Sequence, residues 1–195
     1  MNRLHTVSIV EATGPAAQVF SSIKAAIGAV PNAFLTVGSN SPLALSAALA
    51  LDASVHKGSL SVKEIEVIKL AVSEVSRCDY CVAAHTAIGK LAGLTREAVL
   101  AARFGQPSDN RRFDALSAFV RALASTRGTV PADVVANVRA EGYTDQQIVD
   151  ALLAVTSITF TNLVNRVNDT PLDFPPTNTA RGRPAQTCGP ASDGR

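Results

Sequence analysis

One compact group of residues in the sequence has the types and spacing needed for thiol chemistry. Cys78 and Cys81 form a C-x-x-C motif, and His85 follows four residues after the second cysteine. If the chain is helical from Asp79 onward, the three side chains lie on one face, with the two cysteines one turn apart. That separation lets a disulfide close with little movement of the backbone. The motif therefore predicts a cysteine pair that can be oxidised and reduced reversibly.

A thiol must lose its proton to become a nucleophile, and two features near the motif could help. The positive end of a helix dipole favours thiolate in the first turn, and by this effect alone Cys78 would be preferred. His85 lies one turn from Cys81 and can accept or relay a thiol proton. Glu66 precedes the motif by twelve residues and has apolar neighbours. Its spacing allows an inward position but slightly favours a solvated face.

Three other interpretations of these residues remain open. The cysteines could be half of a zinc site in a binding module, with His85 and Glu66 as further ligands, although the sequence offers no second Cys or His pair. They could be buried core residues of a helical assembly subunit. Glu66 and His85 could also be the acid and base of a cofactor-free enzyme acting on a carbon acid or lactone. Cys188, near the C-terminus, reads as a free exposed thiol.

Turn and cap signals divide the chain into about seven or eight helices, with no run of alternating apolar and polar residues, so the predicted fold class is all-α. Two capping boxes, Ser61 with Glu64 and Thr144 with Gln147, mark helix starts. The predicted helices cover approximately 16–27, 42–56, 61–76, 79–92, 95–105, 113–125, 131–139 and 145–168. From Pro175 the chain is rich in small and polar residues. We therefore predict one domain over 1–174 and a disordered tail over 175–195.

Composition excludes several classes of function. The chain has 195 residues, of which 47% are hydrophobic and 17% charged, with a net charge of +2. Because the basic residues are spread among acids, nucleic acid is not an expected partner. The N-terminus lacks the apolar core of a signal peptide, and no uninterrupted apolar stretch reaches the roughly 20 residues of a membrane span. The expectation is a cytoplasmic protein without membrane contact.

Beyond the motif, much of the chain resembles a known family. The segment from Leu60 to His85 resembles the core of the alkylhydroperoxidase D-like (AhpD-like), or carboxymuconolactone decarboxylase, superfamily. Other motifs resemble its peroxidase-related branch: Val30-Pro31-Asn32 with Phe34, Ser41-Pro42, Phe160-Thr161-Asn162, Asn165, Asp169-Thr170 and Asp173-Phe174-Pro175. The resemblance covers most of the chain from about residue 10 to 175. A glutamate, a C-x-x-C twelve residues later and a histidine four residues after it form a far more specific signature than a C-x-x-C alone.

The resemblance implies an all-helical fold that assembles as a homotrimer or homohexamer. It also implies a peroxidase or disulfide oxidoreductase that needs no metal, haem or flavin. Its partners would be a small hydroperoxide and a dithiol or protein reductant. By the same resemblance, Cys81 attacks the peroxide and Cys78 resolves the product, while Glu66 becomes the general base that acts through His85.

Some features depart from the family pattern or stay open. The best-known members have a histidine immediately before the attacking cysteine, where this chain has Tyr80. The decarboxylase members lack the C-x-x-C, so lactone decarboxylation is implied less strongly than redox chemistry. Asn162 and Asn165 could line the site, but the preferred interpretation is that they are polar residues of helix packing.

Overall fold

The computed structural model describes residues 2–126 and 128–177. Within these ranges the chain forms nine helices and no strand, which confirms the all-α fold class. The helices are α1 (Gly14–Ile27), α2 (Asn32–Asn40), α3 (Pro42–Lys57), α4 (Val62–Val75), α5 (Asp79–Leu91), α6 (Arg96–Phe104), α7 (Arg111–Thr126), α8 (Ala132–Ala140) and α9 (Asp145–Asn168). The predicted tail, 175–195, lies outside the described residues except for 175–177.

Helix α2 is not predicted from the sequence. This helix has only nine residues, contains Gly38 and follows Pro31, so its local signals read as a loop. The carboxylate of Asp173 accepts a hydrogen bond from the Asn32 backbone N–H over 2.7 Å at the helix start. Val37 on its inner face is buried. Contacts with residues far along the chain therefore stabilise a helix that local propensity does not predict.

Helix α4 lies at the centre of the fold. It begins with the predicted capping box: the Ser61 backbone N–H donates to the Glu64 carboxylate over 2.8 Å, and the Glu64 backbone N–H donates to the Ser61 hydroxyl over 3.3 Å. Ten consecutive residues, from Glu64 to Ser73, are buried. The helix packs against α5, α6, α7 and α9. Because this stretch of α4 is buried on all sides, its polar side chains lie inside the protein.

A second, smaller core joins α1, α2 and α3, with Phe20 and Leu45 fully buried at its centre. Gly38 of α2 lies directly against these two side chains. Side chains of α9 also pack on this cluster, so the last long helix contacts both cores. Because α9 bridges the two cores, it fixes the position of α2 relative to α4.

One helix in the described part of the chain, α9, is long and apolar enough to cross a membrane by length and composition. In this structure it packs against α2, α3, α4 and α5. Three asparagines, Asn162, Asn165 and Asn168, are buried along it at spacings of three residues. At this spacing they share one face, so α9 presents a polar stripe to the interior.

Candidate active site

A tight turn between α4 and α5 positions the C-x-x-C motif. Arg77 adopts a left-handed conformation with φ of 55°, which is uncommon for a residue with a side chain. The backbone N–H of Cys78 donates to the Ser73 carbonyl over 3.0 Å, which satisfies a carbonyl at the end of α4. The turn brings the first residues of α5 back against α4.

The two cysteines are paired at the start of α5. Cys78 is the N-cap residue, and its sulfur accepts a hydrogen bond from the Cys81 backbone N–H over 3.3 Å. The sulfurs form a disulfide with Cα atoms 5.3 Å apart, within the range that a disulfide requires. Cys78 is 1% exposed and Cys81 is 2% exposed. The pair is therefore geometrically suited to closing, and it lies beneath the surface.

Glu66 faces this helix from α4. Its Oε2 lies 2.8 Å from His85 Nδ1, and the Glu66 side chain is 1% exposed while that of His85 is 13% exposed. The slight preference for a solvated Glu66, drawn from spacing alone, is wrong because α5 covers this face of α4. A Cβ added at Gly89 would be in ordinary van der Waals contact with Glu66 Cβ at 3.7 Å, and its tightest neighbour would be Leu94 Cδ1 at 3.1 Å. The sequence motif is thus assembled into a buried carboxylate–imidazole pair.

The sulfur of Cys81 has one hydrogen-bond partner in addition to its disulfide bond. The Nδ2 amide of Asn165 on α9 donates to Cys81 Sγ over 3.3 Å. In the described part of the chain, neither sulfur is hydrogen-bonded to His85. The structure therefore places Asn165 at the reactive pair, which the preferred sequence interpretation did not. A run of asparagines at helical spacing in an apolar helix was the signal for it.

Tyr80, between the cysteines, has a different role from the family histidine. Its hydroxyl accepts a hydrogen bond from the Ala33 backbone N–H over 3.3 Å, and its ring packs edge-on against Phe174 at 5.6 Å. Burial raises the pKa of Tyr80, and the nearby carboxylate of Asp173 raises it further. Tyr80 is therefore a neutral phenol that anchors the segment after α9 to α5.

Comparison with known proteins identifies the fold. The family model of the carboxymuconolactone decarboxylase family matches residues 42–125, which include all four predicted site residues. A peroxidase-related protein with an alkylhydroperoxidase AhpD core from Ralstonia eutropha JMP134 superposes with a TM-score of 0.78 and 22% identity, covering 88% of this chain and 92% of that one. Residues 42–125 are thus similar to the carboxymuconolactone decarboxylase family, and the whole described chain has the AhpD-like fold.

Two further solved structures share this fold. A putative antioxidant defence protein AhpD from Agrobacterium tumefaciens, of unknown function, is 25% identical with a TM-score of 0.65, covering 70% of this chain and 95% of that one. A cysteine-to-alanine variant of the debrominase Bmp8, in complex with 2,3,4-tribromopyrrole, is 20% identical with a TM-score of 0.74. The superposition covers 89% of this chain and 92% of that one. No curated protein sequence matches the chain.

The four predicted site residues lie mostly beneath the surface. A surface groove of about 680 Å³ is lined by the loop that follows α6, by α7 and by α8, and by none of these four residues. Within residues 2–126 and 128–177, no group of three or more His, Cys, Asp or Glu side chains is arranged to hold a metal ion. Because His85 is the most exposed of the four residues, a substrate would approach the cysteines past its ring.

Proposed function

We propose that this protein is a thiol-dependent peroxidase or disulfide oxidoreductase whose redox centre is Cys78 and Cys81. One observation carries the proposal: the paired cysteines begin the same helix that carries His85, and His85 is hydrogen-bonded to the buried carboxylate of Glu66. A redox-active thiol pair beside a proton-transfer pair contains the parts that peroxide reduction requires.

In the first step, Cys81 thiolate attacks the terminal oxygen of a hydroperoxide. A bond forms between sulfur and oxygen, the oxygen–oxygen bond breaks, and the alkoxide leaves as an alcohol after taking a proton delivered through His85. Cys81 is thereby oxidised to a sulfenic acid. Glu66 orients the ring and stabilises its charged form during the transfer.

In the second step, Cys78 thiolate attacks the sulfur of the sulfenic acid. The sulfur–oxygen bond breaks, hydroxide leaves and takes up the proton that Cys78 had released, and water and the disulfide of the structure are formed. An external dithiol or a protein reductant then returns two electrons by thiol–disulfide exchange. The cycle consumes one hydroperoxide and one dithiol and yields an alcohol, water and the oxidised dithiol.

Thiol counting by intact mass tests the redox proposal directly. The protein is reduced, freed of reductant, challenged with a small excess of hydroperoxide and alkylated, with metal content measured on the same sample. Rapid loss of two alkylatable thiols, mapped to Cys78 and Cys81, supports the proposal. Thiols that stay reactive would contradict it, and thiols masked by stoichiometric zinc would instead favour the zinc-stabilised binding module.

Two variants separate the roles of the cysteines. Cys81→Ser should abolish hydroperoxide turnover, and a variant that kept full turnover would overturn the assignment of Cys81 as the nucleophile. Cys78→Ser should still consume one equivalent of hydroperoxide and accumulate a sulfenic acid at Cys81, which dimedone traps. The tail thiol Cys188 serves as the matched control, since Cys188→Ser should leave turnover unchanged.

A second substrate class follows from the similarity to Bmp8. The same two thiols could reduce a carbon–bromine bond: the aryl bromide gains a proton and releases bromide while the cysteines become a disulfide, so two electrons leave the thiol pair. Comparing 2,3,4-tribromopyrrole with a hydroperoxide in one assay, by disulfide formation and bromide release, distinguishes the two oxidants.

A non-redox activity is the remaining alternative within the superfamily. A decarboxylase-like enzyme would use Glu66 and His85 as acid and base and would need neither cysteine. Lactone turnover that survived in a Cys78→Ser, Cys81→Ser double variant would identify that activity. Loss of all activity in the same variant would favour the thiol mechanism.

We also propose that the chain works as a homotrimer or homohexamer in the cytoplasm, where thiols are kept reduced. Several large apolar side chains are exposed in the single chain, among them Leu43, Leu91, Val149, Leu163 and Val167. Burying such a surface between subunits would remove it from water. Light scattering after size-exclusion chromatography measures the mass, and a monomeric mass would contradict this assembly.

A further inference from the structure

The polar stripe on α9 contains three asparagines whose surroundings differ. Asn168 has every polar atom satisfied: its Oδ1 accepts from the Leu4 backbone N–H over 2.9 Å, and its Nδ2 donates to Thr36 and Thr170 over 3.0 Å each. This residue ties the N-terminal segment and α2 to the end of α9. Because all its polar atoms are paired within the protein, the role of Asn168 is structural.

Asn165 has different contacts, although it is just as deeply buried. Its Nδ2 donates to Cys81 Sγ over 3.3 Å, while its Oδ1 is a buried acceptor with no hydrogen-bond partner in the described chain. An unpaired buried carbonyl costs stability, so packing alone does not account for Asn165. Among the described residues, Asn162 also leaves its Nδ2 unpaired, but its Oδ1 accepts from Ser73 and it is not hydrogen-bonded to a sulfur. The one contact that the Asn165 amide does make is to a sulfur of the redox pair.

We propose that Asn165 is a further catalytic residue, which stabilises the thiolate of Cys81 through the hydrogen bond from its Nδ2. This inference rests on the proposed function, in which Cys81 is the attacking thiol. A thiolate accepts a hydrogen bond far better than a thiol does, so an N–H donor held against the sulfur favours the charged form. The donor is already in place in the disulfide, so it needs no rearrangement when the bond opens.

The same contact should act during reduction of the disulfide. An external thiolate attacks Cys78 Sγ, a mixed disulfide forms there, and the electron pair of the broken bond leaves on Cys81. The leaving thiolate is then stabilised by Asn165, and better leaving groups speed exchange. The sulfur of Cys78 has its own donor, the Cys81 backbone N–H, which a side-chain substitution cannot remove. Substitution of Asn165 therefore weakens stabilisation at one sulfur alone.

The other charged and titratable groups near Cys81 are the same in both proteins of the test. They are Glu66 on α4 and Asp79, Tyr80 and His85 on the helix that carries Cys81, while residue 78 is serine in both proteins. On α9, Asn162 and Asn165 are neutral, and the neighbouring Arg166 is exposed. A change in the titration of Cys81 caused by substituting Asn165 can therefore be assigned to the lost hydrogen bond.

The experiment uses Cys78→Ser, Cys188→Ser protein, in which Cys81 is the single remaining cysteine of the three. The second-order rate of iodoacetamide alkylation is measured across pH with Asn165 or with Asn165→Leu. We expect the apparent pKa of Cys81 to rise by about one unit in Asn165→Leu. Since a more basic thiolate is more nucleophilic, with a Brønsted slope near 0.5, the rate should fall about threefold at low pH and rise about threefold at the alkaline plateau.

This crossing of the two rate profiles is a signature that a structural role would not produce. If Asn165 only packed the helix, the alkylation rates at low pH and at the alkaline plateau would both be unchanged, or both would fall together with the urea midpoint. Asn162→Leu is the matched control, because Asn162 hydrogen-bonds to Ser73 and not to sulfur, and it should leave the Cys81 pKa unchanged. An unshifted pKa in a folded Asn165→Leu protein would overturn the proposal.

A measurement on the single-cysteine protein with Asn165 intact covers the case in which Asn165→Leu does not fold. The side-chain amide NMR signals of Asn165 should shift with pH at the same midpoint as Cys81 alkylation, and a signal that does not follow this titration would overturn the inference. Failure of the proposed function is distinguishable, since Cys81 would then titrate as described but remain unoxidised by hydroperoxide.

Discussion

The carboxylate of Glu66 and the imidazole of His85 are 2.8 Å apart and join the central helix α4 to α5, the helix that carries the cysteine pair. The carboxylate is almost fully buried, whereas the ring reaches the surface. A buried carboxylate that holds Nδ1 fixes the ring and leaves Nε2 for proton exchange. This arrangement suits a histidine that passes protons between solvent and the cysteine pair.

Replacing Glu66 with glutamine tests this relationship. Glu66→Gln keeps the shape but removes the charge that stabilises protonated His85, so hydroperoxide turnover should fall by about 100-fold. Steady-state peroxide consumption with excess dithiol measures the loss. The control is Glu64→Gln, two residues earlier on α4, where the carboxylate contacts Ser61 and Arg112 and should not affect turnover. Equal rates in the two variants would contradict a role for Glu66.

Tyr80→Phe distinguishes an anchor from a proton relay. The variant keeps the ring that packs on Phe174 and loses only the hydroxyl that accepts from Ala33. We expect a loss of about 1 kcal/mol in the free energy of unfolding, typical of one hydrogen bond, and turnover within about threefold of the original. Urea unfolding and peroxide consumption measure the two effects. A collapse of turnover in a stable variant would show that the phenol transfers protons.

The loss of folding stability at low pH should depend on Glu64. Burial acts to raise the pKa of Glu64, but hydrogen bonds from Ser61 and Arg112 outweigh it and hold the pKa below the ordinary value. Because the folded-state pKa is the lower one, the stabilisation is complete above the unfolded pKa of about 4.3 and is lost as pH falls through the folded value. Glu64→Gln should therefore be less stable than the original protein at pH 7 and show a flatter decline in acid.

The measurement is urea unfolding between pH 7 and pH 3 for both proteins. Glu97→Gln, at an exposed position on α6, is the control and should follow the original curve. If the difference in the free energy of unfolding between Glu64→Gln and the original protein did not shrink as pH fell, this explanation would be ruled out.

Gly38→Ala tests the smaller core. An added Cβ would collide with the buried ring of Phe20 and would lie 2.9 Å from Leu45 Cδ2. Overpacking of this kind costs about 1–3 kcal/mol, which exceeds the gain of about 0.5–1 kcal/mol expected from replacing glycine in a helix. We expect a lower melting temperature by calorimetry. Ser46→Ala, at an exposed position of α3, should not show this loss, and an equally stable Gly38→Ala protein would contradict the packing described.

The parts of the fold that local chemistry specifies could be predicted from the sequence. The capping boxes at Ser61 and Thr144 form as expected and begin α4 and α9. The one-turn spacing of Cys78 and Cys81 allows their pairing. These features depend on residues within a few positions of one another, so the sequence pattern alone is sufficient to predict them.

Other features depend on contacts that no local pattern contains. The inward position of Glu66 follows from the covering helix α5, and only the resemblance to a family predicted it. The start of α2 is stabilised by Asp173, which is 141 positions away from its partner Asn32. The contact of Asn165 with Cys81 joins helices that are 84 positions apart. Tertiary packing selects among the alternatives that propensity and spacing leave open.

The small size of the disulfide loop has a consequence for the whole molecule. Cys78 and Cys81 are three positions apart, so their bond constrains very little of the unfolded chain. The loop-entropy relation gives about 2 kcal/mol for such a loop, against about 4.7 kcal/mol for one of 100 residues. The oxidised protein should therefore melt only about 4–8 °C above the reduced one. If the proposed redox function holds, opening and closing this bond should change the stability of the fold only modestly, and a reductant would have to recognise the sulfurs themselves.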